Sequence, residues 1–408
     1  MTENKEQKSK SVDDSVKASL IKDSKLKKVF IGIFAAFLII MFVGTCFIGV
    51  KPMAKDVLNI GSNGVEGTIA NLEANFNDSL LAKEGYINVF GGIVGAINMD
   101  FVRDADYSNS VVKDNHGNLH FVTYGTDYSN LTDDLAIYKS AGIPILFVQP
   151  PTKYIEGYTE FPLTLDDKTT ETADELQQLL AENGIMTLDL REPASNELDP
   201  ANMFFKTDHH WTIETSFWAM DKTVDYIKTN FGIDLDPTGY YSDINNWKQE
   251  VYEDSFLGSQ GRRVGSWYTG IDDFTVISPD FETDYSILGL EEDVELTGSF
   301  DEVILYDDLL DFTASNWTNH YAGYWGKDDD KVFIDNRLNN DGANILLLKD
   351  SFGLPYGAFL TTMVDTMTII DLRYYDINEL EYYLSQSDFD MILVLYKMYS
   401  VASGVETE

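Results

Sequence analysis

The sequence predicts an α/β fold: βαβ units around a parallel sheet, interrupted late by a β-rich insertion and preceded by one transmembrane helix. Three observations carry this. An apolar run lies near the N-terminus, short aliphatic runs alternate with helical periods from about residue 118, and that rhythm lapses between 235 and 335. At 408 residues and 44% hydrophobic, the chain can bury a large core, which excludes a disordered polypeptide.

Val29 to Val50, VFIGIFAAFLIIMFVGTCFIGV, is a 22-residue run whose only ionisable group is the weakly acidic thiol of Cys46. At about 1.5 Å per helical residue it covers roughly 33 Å, enough for a bilayer core. A cleaved signal peptide would have an apolar core of about 7–15 residues and a small-residue cleavage site. GTCFIGVKPMA offers a poor one, so the run is read as an uncleaved anchor. Residues 1–28 hold eight lysines against five acids. Positive flanks stay in the cytoplasm, so the tail lies inside the cell membrane and the chain from Lys51 onward lies outside.

The whole chain carries a net −39, and residues 51–408 alone −42. Such a surface excludes a nucleic-acid grip and is repelled by anionic headgroups. The single cysteine falls in the apolar run, so the exported part has no internal disulfide and depends on its core, as suits a bacterial exported protein.

Residues 51–110 read as a stalk and entry segment with an amphipathic helical stretch near VEGTIANLEANFNDSLLAKEGYINVFGGI. The domain proper is placed at 111–408. NLHFVTYG, LTDDLAIYKSAG, IPILFVQPP, TTETADELQQLLAENG and IMTLDL alternate strand and helix patterns, the mark of a parallel sheet. In TTETADELQQLLAENG the threonines can cap the first turn and Asn183-Gly184 stops the helix. The next helix has one buried stripe, Ile213, Phe217, Met220, Val224 and Ile227, at spacings of three and four. Residues 235–335, with DDFTVISP and FDEVILYDD, look like an inserted antiparallel layer. ANILLLKDSFG, TMTIIDLRYY and MILVLYKMY then supply three more core strands.

KTDHHWT, residues 206–212, concentrates chemistry in a chain with five histidines. A metal site is disfavoured: neighbouring side chains point about 100° apart on a helix and to opposite faces of a strand. His116, His120 and His320 lie outside any ligand pattern, so no metal is expected. Asp208 could simply cap the helix. An acid followed two residues later by an imidazole, at a helix mouth, is equally suited to an orienting carboxylate and a general base. ILLLKDSFG offers the matching nucleophile: Ser351 at the turn leaving a parallel strand, where the N–H groups of a following helix point at it. Its plain alternative is an ordinary helix cap.

TDHHWT at 207–212, FLGSQGRRVG at 256–265, NHYAGYWG at 319–326, and LLLKDSFG with IIDLRYYD within 346–376 together resemble the bacterial DHHW proteins. These are relatives of the alginate O-acetylation proteins within the SGNH-hydrolase-like superfamily. The resemblance covers most of 110–400 and implies a three-layer α/β/α sandwich with a flavodoxin-like sheet. It also implies a circularly permuted triad order, with Asp208 and His210 ahead of Ser351. The Asp-x-His-Trp pattern of the alginate proteins maps the acid onto Asp208 and the base onto His210, leaving His209 on the variable position. Those relatives hold the serine in a Gly-Thr-Ser-Tyr-Ser turn, whereas Lys-Asp-Ser-Phe-Gly stands here, so oxyanion donors do not carry over. Composition suggests the Ser351 N–H with help from Gly258, Ser259, Arg262 or Arg263. Lys153 and Tyr154 of PPTKY fall at the same sheet edge, and Tyr324, among the aromatics crowding the motifs, is a candidate sugar platform.

The function expected from this resemblance is a membrane-anchored extracytoplasmic O-acetyltransferase passing acetyl through Ser351 onto a surface or exported polysaccharide. A membrane-bound O-acyltransferase partner is implied, and no soluble cofactor. The alternatives are a polysaccharide O-acetyl esterase with the same triad, or a non-catalytic scaffold of the acetylation complex.

Overall fold

The computed structural model describes residues 38–104, 107–128, 131–162, 165–291 and 294–398, with Lys28, Ile31, Gly32, Ala35 and Ala36. Almost all of the basic tail expected at 1–28 lies outside the described residues. The chain divides into two compact units, 1–86 and 87–408.

In the first unit α1, Leu38–Leu58, is the one helix among the described residues long and apolar enough to cross a membrane. It shares residues 38–50 with the span read from the sequence. α2, Ile60–Asp78, follows, with a break at Gly64, whose φ of 68° suits a residue without a Cβ. α3, Lys83–Ala96, runs into the second unit.

The second unit opens with a three-stranded antiparallel sheet, β1 (Phe101–Val102), β2 (Val111–Lys113) and β3 (Leu119–Phe121). Next come α4 (Leu131–Ser140), β4 (Ile145–Gln149), α5 (Thr169–Glu182), β5 (Met186–Asp189), α6 (Arg191–Glu197) and α7 (Ile213–Phe231). β6 (Trp247–Phe256) and β7 (Asp272–Pro279) form a separate antiparallel pair, with the short helices α8 (Gly261–Val264) and α9 (Ser266–Thr269) between them. β8 (Tyr285–Glu291), β9 (Val294–Gly298), α10 (Phe300–Val303) and β10 (Lys331–Asn336) lead to β11 (Asn344–Lys349), α11 (Gly353–Leu360), β12 (Thr366–Ile370), α12 (Ile377–Gln386) and β13 (Met391–Leu395).

The main sheet runs β5-β4-β13-β11-β12-β10-β8-β9. Its first five strands are mutually parallel, and β10, β8 and β9 continue it in antiparallel fashion. Alternate residues of the central strands serve opposite faces. Leu346, Leu348, Ile392 and Val394 pack under α4, α5 and α12. Ile345, Leu347, Met391 and Leu393 pack under α7 and α11, with the predicted stripe of α7 buried there. Being covered on both sides is why these strands read as unbroken apolar runs.

Three expectations change. NLHFVTYG supplies β3 to the small sheet, not a strand to the parallel one. The 235–335 insertion is not one layer: β6 and β7 stand apart, while β8 and β9 lengthen the main sheet. In α5 the threonines do not cap; the side chain of Asp167 accepts the Thr169 N–H at 3.0 Å.

Candidate active site

Four parallel strands deliver polar residues at their carboxyl ends, the edge where open α/β sheets bind ligands. Lys153 follows β4, Ser351 follows β11, Arg373 follows β12 and Lys397 follows β13. Asp350 shapes the serine turn: its Oδ1 accepts the Phe352 N–H at 2.9 Å and its Oδ2 the Lys397 N–H at 3.0 Å. α11 starts immediately after, at Gly353, where a Cβ would stand 2.6 Å from that of Lys349.

The Thr207–His210 segment is a bend, neither helix nor strand. Thr212 caps α7, its hydroxyl oxygen accepting the Thr215 N–H, which leaves Asp208 for other work. Asp208 Oδ1 accepts from the His210 backbone N–H at 2.9 Å and from His210 Nδ1 at 2.6 Å; Oδ2 accepts the Ser259 N–H at 2.5 Å. His210 Nε2 lies 2.7 Å from Ser351 Oγ. Tyr321 stacks on the His210 ring at 3.9 Å and 10°, and its hydroxyl accepts the Trp211 Nε1–H, so Trp211 is packing.

Burial pushes the His210 imidazole below its ordinary 6.5, against the pull of Asp208 and with added repulsion from the Lys397 ammonium. Asp208 is desolvated, yet His210, His209 and the Ser259 N–H together hold its carboxyl well below the usual range. A carboxylate beside a neutral imidazole is the resting state a general base requires.

The bend is braced from behind. Lys153 Nζ donates to the Asp208 carbonyl at 2.6 Å, the Gln260 side chain at 3.1 Å and the Lys206 carbonyl at 3.3 Å. Burial pushes this ammonium down to about 8, partly offset by Asp272 and Asp208. Thr207 Oγ donates to Asp272 and accepts the Gly258 N–H at 2.8 Å. Gly258 is required for close approach: a Cβ there would fall 2.2 Å from the Asp208 Cβ and 2.6 Å from its Cα. Gly258→Ala is expected to displace Asp208 and lower kcat/KM by about 100-fold, the scale of an ångström-sized misplacement. Steady-state kinetics beside a melting curve checks this.

The sequence-derived site residues fall into three groups. Asp208, His210 and Ser351 come together, and Arg262 lines the same cavity of about 530 Å³. Lys153 and Tyr154 line a smaller neighbouring cavity, so Lys153 steadies the bend from outside the reacting centre. The Gly258 and Ser259 N–H groups are not oxyanion donors, because Thr207 and Asp208 consume them; the Ser259 hydroxyl instead meets His209 Nδ1 at 2.7 Å. Arg263 lies over the Phe121 ring at 5.3 Å. Tyr324 is no sugar platform: it is fully buried, its hydroxyl bonded to the backbone of Ile277 on β7.

Among the cavity residues given no role from the sequence are Asn319 and Lys397. Asn319 heads the NHYAGYWG motif, and Lys397 follows β13 in the position that drew attention to Ser351. Side-chain directions at Asp208–His210 differ from those of the regular helix or strand that disfavours a metal. The bend brings ligand atoms of Asp208, His209 and His210 within 4.8 Å of one another, which neither helix nor strand geometry would do. Both His210 nitrogens and His209 Nδ1 are, however, engaged by protein partners.

Residues 135–251 match the family described as SGNH hydrolase-like domain, acetyltransferase AlgX. Bacillus cereus PatB1 superposes with a TM-score of 0.55 at 19% identity, covering 72% of this chain and 97% of that one. Its structure with a sulfonyl adduct gives 0.54 at 18% over the same shares. A DHHW family protein from Eubacterium siraeum gives 0.53 at 17% identity, covering 74% of this chain and 94% of its own. The fold is SGNH-hydrolase-like. No curated protein matches by sequence. Within the SGNH-like domain the family match includes Asp208 and His210 but ends a hundred residues short of Ser351, which geometry alone joins to them.

Proposed function

We propose that the protein is a serine-dependent O-acetyltransferase, held at the cell membrane by α1 with its SGNH-like domain outside. It would acetylate a surface or exported polysaccharide with acetyl supplied by a membrane-bound O-acyltransferase. The supporting observation is the unbroken hydrogen-bonded series Asp208–His210–Ser351 at the sheet's carboxyl edge. The AlgX-type match and the SGNH-like fold favour acetyl as the group transferred.

His210 Nε2 takes the Ser351 hydroxyl proton as Oγ attacks the acetyl carbonyl. The tetrahedral intermediate collapses, and the donor's leaving oxygen receives that proton. His210 then deprotonates an acceptor hydroxyl, whose oxygen attacks acetyl-Ser351, forming the sugar ester and restoring the serine. Asp208 keeps the Nδ1 proton in place and stabilises the imidazolium. The Ser351 N–H, with Arg262 or Asn319 from the cavity wall, is assigned to the developing oxyanion.

The base must be neutral, so activity is expected to hold at neutral pH and fall as pH drops through a value below 6.5, the ordinary imidazole range. The unfolded chain takes up that proton at the ordinary value, so folding stability declines with falling pH through the same window. A kcat/KM profile whose acid limb lies above 6.5 would contradict this assignment.

The deciding assay gives the purified full chain an acetyl ester donor and a saturating sugar acceptor. Acetylated sugar is expected. Acetate alone would replace transfer with hydrolysis, and full polymer acetylation in cells carrying Ser351→Ala would leave only the scaffold.

A further inference from the structure

Helix α3 is packed inside out. Gly91 and Val94 are its buried residues, and they face α8 and α9. The approach is so close that a Cβ on Gly91 would stand 1.9 Å from the Val264 carbonyl oxygen and 3.1 Å from the Tyr268 Cβ. Asn88 fixes the contact, its side-chain oxygen accepting the Ser266 N–H at 2.8 Å and hydroxyl at 3.0 Å.

The large apolar side chains stand on the other side. Val89, Phe90 and Ile93, with Ile97 in the closing turn, are 48%, 46%, 59% and 61% exposed; the Ile97 N–H still bonds to the Ile93 carbonyl at 3.2 Å, so at 3.6 residues per turn they share an arc of about 100°. Trp267, 66% exposed, borders them beside Gly92. From Ile87 to Met99 there is no ionisable side chain, in a chain of net charge −39. A helix at a protein–water boundary turns its large apolar residues inward. Small residues inward with large ones outward is how helices pack when their surroundings are lipid.

We propose that this face, with Trp267, seats the domain on the bilayer at the boundary between headgroups and acyl chains. Only 24 residues separate α1, the candidate membrane helix, from α3, a tether short enough to let the face reach the membrane that α1 would enter. α3 has 14 residues, about 21 Å of helix, too short to cross a core of about 30 Å, so it lies along the surface. Absence of charge suits a domain that a negative membrane would otherwise repel, and tryptophan is the side chain that favours the interface.

Spin labelling of the full chain in phosphatidylcholine nanodiscs tests this independently of any enzymatic reading. With Cys46→Ser, an introduced cysteine is unique. Nitroxides at Ile93→Cys and Ile97→Cys are compared with one at Leu338→Cys, 53% exposed in the turn after β10. The α3 labels are expected to collide with oxygen rather than a water-soluble nickel complex, at a depth of about 5–10 Å below the phosphates. The Leu338 label should show the reverse. Nickel accessibility at Ile93 and Ile97 equal to that at Leu338 overturns the proposal. Protection of the α3 labels from both reagents also overturns it, because a protein surface would then cover the face.

Discussion

Ser351→Ala is expected to lower kcat/KM for acyl transfer by about four orders of magnitude or more, with the melting temperature nearly unchanged. Oγ is the only atom of the chain in the proposal that bonds to the acetyl group, and the serine is only partly buried in the cavity wall. His210→Ala should cost as much, and the double variant little more, since nucleophile and base act as one unit. Asp208→Asn should cost about 10⁴, because the amide favours the wrong imidazole tautomer. His209→Ala provides the contrast. Its ring supports His210 at 3.9 Å and its Nδ1 holds the Ser259 hydroxyl, but it does not touch Ser351, so much of the activity should survive. If His209→Ala is as damaging as His210→Ala, the base has been assigned to the wrong ring. A sulfonyl fluoride, which captures activated serines, should add mass to the natural protein and none to Ser351→Ala or His210→Ala.

Arg373→Met is expected to reduce unfolding free energy by about 3–5 kcal/mol, measured by denaturant titration. Beside the serine turn, Lys349, Asp328, Arg373 and Asp371 form an ion cluster, with Asp328 and Arg373 on the cavity wall. Arg373 grips both Asp371 oxygens, at 2.9 Å from Nε and 2.5 Å from Nη2, and reaches Asp328 at 2.8 Å; Lys349 pairs with Asp328 and lies 3.8 Å from Asp371. Asp371 is fully buried, so losing the guanidinium leaves its charge with only the residue-373 backbone N–H at 3.1 Å and the distant Lys349 ammonium. Most of the cost is that stranded carboxylate, not the worth of the pair. Asp371→Asn combined with Arg373→Met should therefore cost less than Arg373→Met alone, while Lys349 and Asp328 remain paired. Equal losses would mean that the cluster contributes through packing instead.

Local patterns carried a good share of this molecule. The core strands β4, β11, β12 and β13 are legible because burial on both faces writes an uninterrupted apolar run, and α7 because one face writes a stripe. The pairing of Asp208 with His210 is legible because it spans two residues. Partners distant in sequence were not. β3 has the composition of a core strand, and nothing in eight residues says which sheet it joins. Gly258 and Ser259 lie against Thr207 and Asp208, which take up their N–H groups, a pairing that only the fold shows. Tyr324 looked available because its neighbours belong to the motifs, while its own hydroxyl is committed to β7. Lys397 could have been found by applying to MILVLYK the rule that singled out Ser351 after ILLLKDS.

β13, the last strand in sequence order among the described residues, occupies the middle of the parallel sheet, between β4 and β11. Until Met391–Leu395 exists, β4 with β5 and β11 with β12 are two half-sheets with unpaired edges, and the serine turn lacks the Lys397 N–H that Asp350 receives. The histidine and the serine that meet at the sheet's carboxyl edge are 141 residues apart in the chain. Closing the parallel sheet therefore depends on the pairing of β13 with both β4 and β11, which makes Met391–Leu395 the segment that joins its two halves.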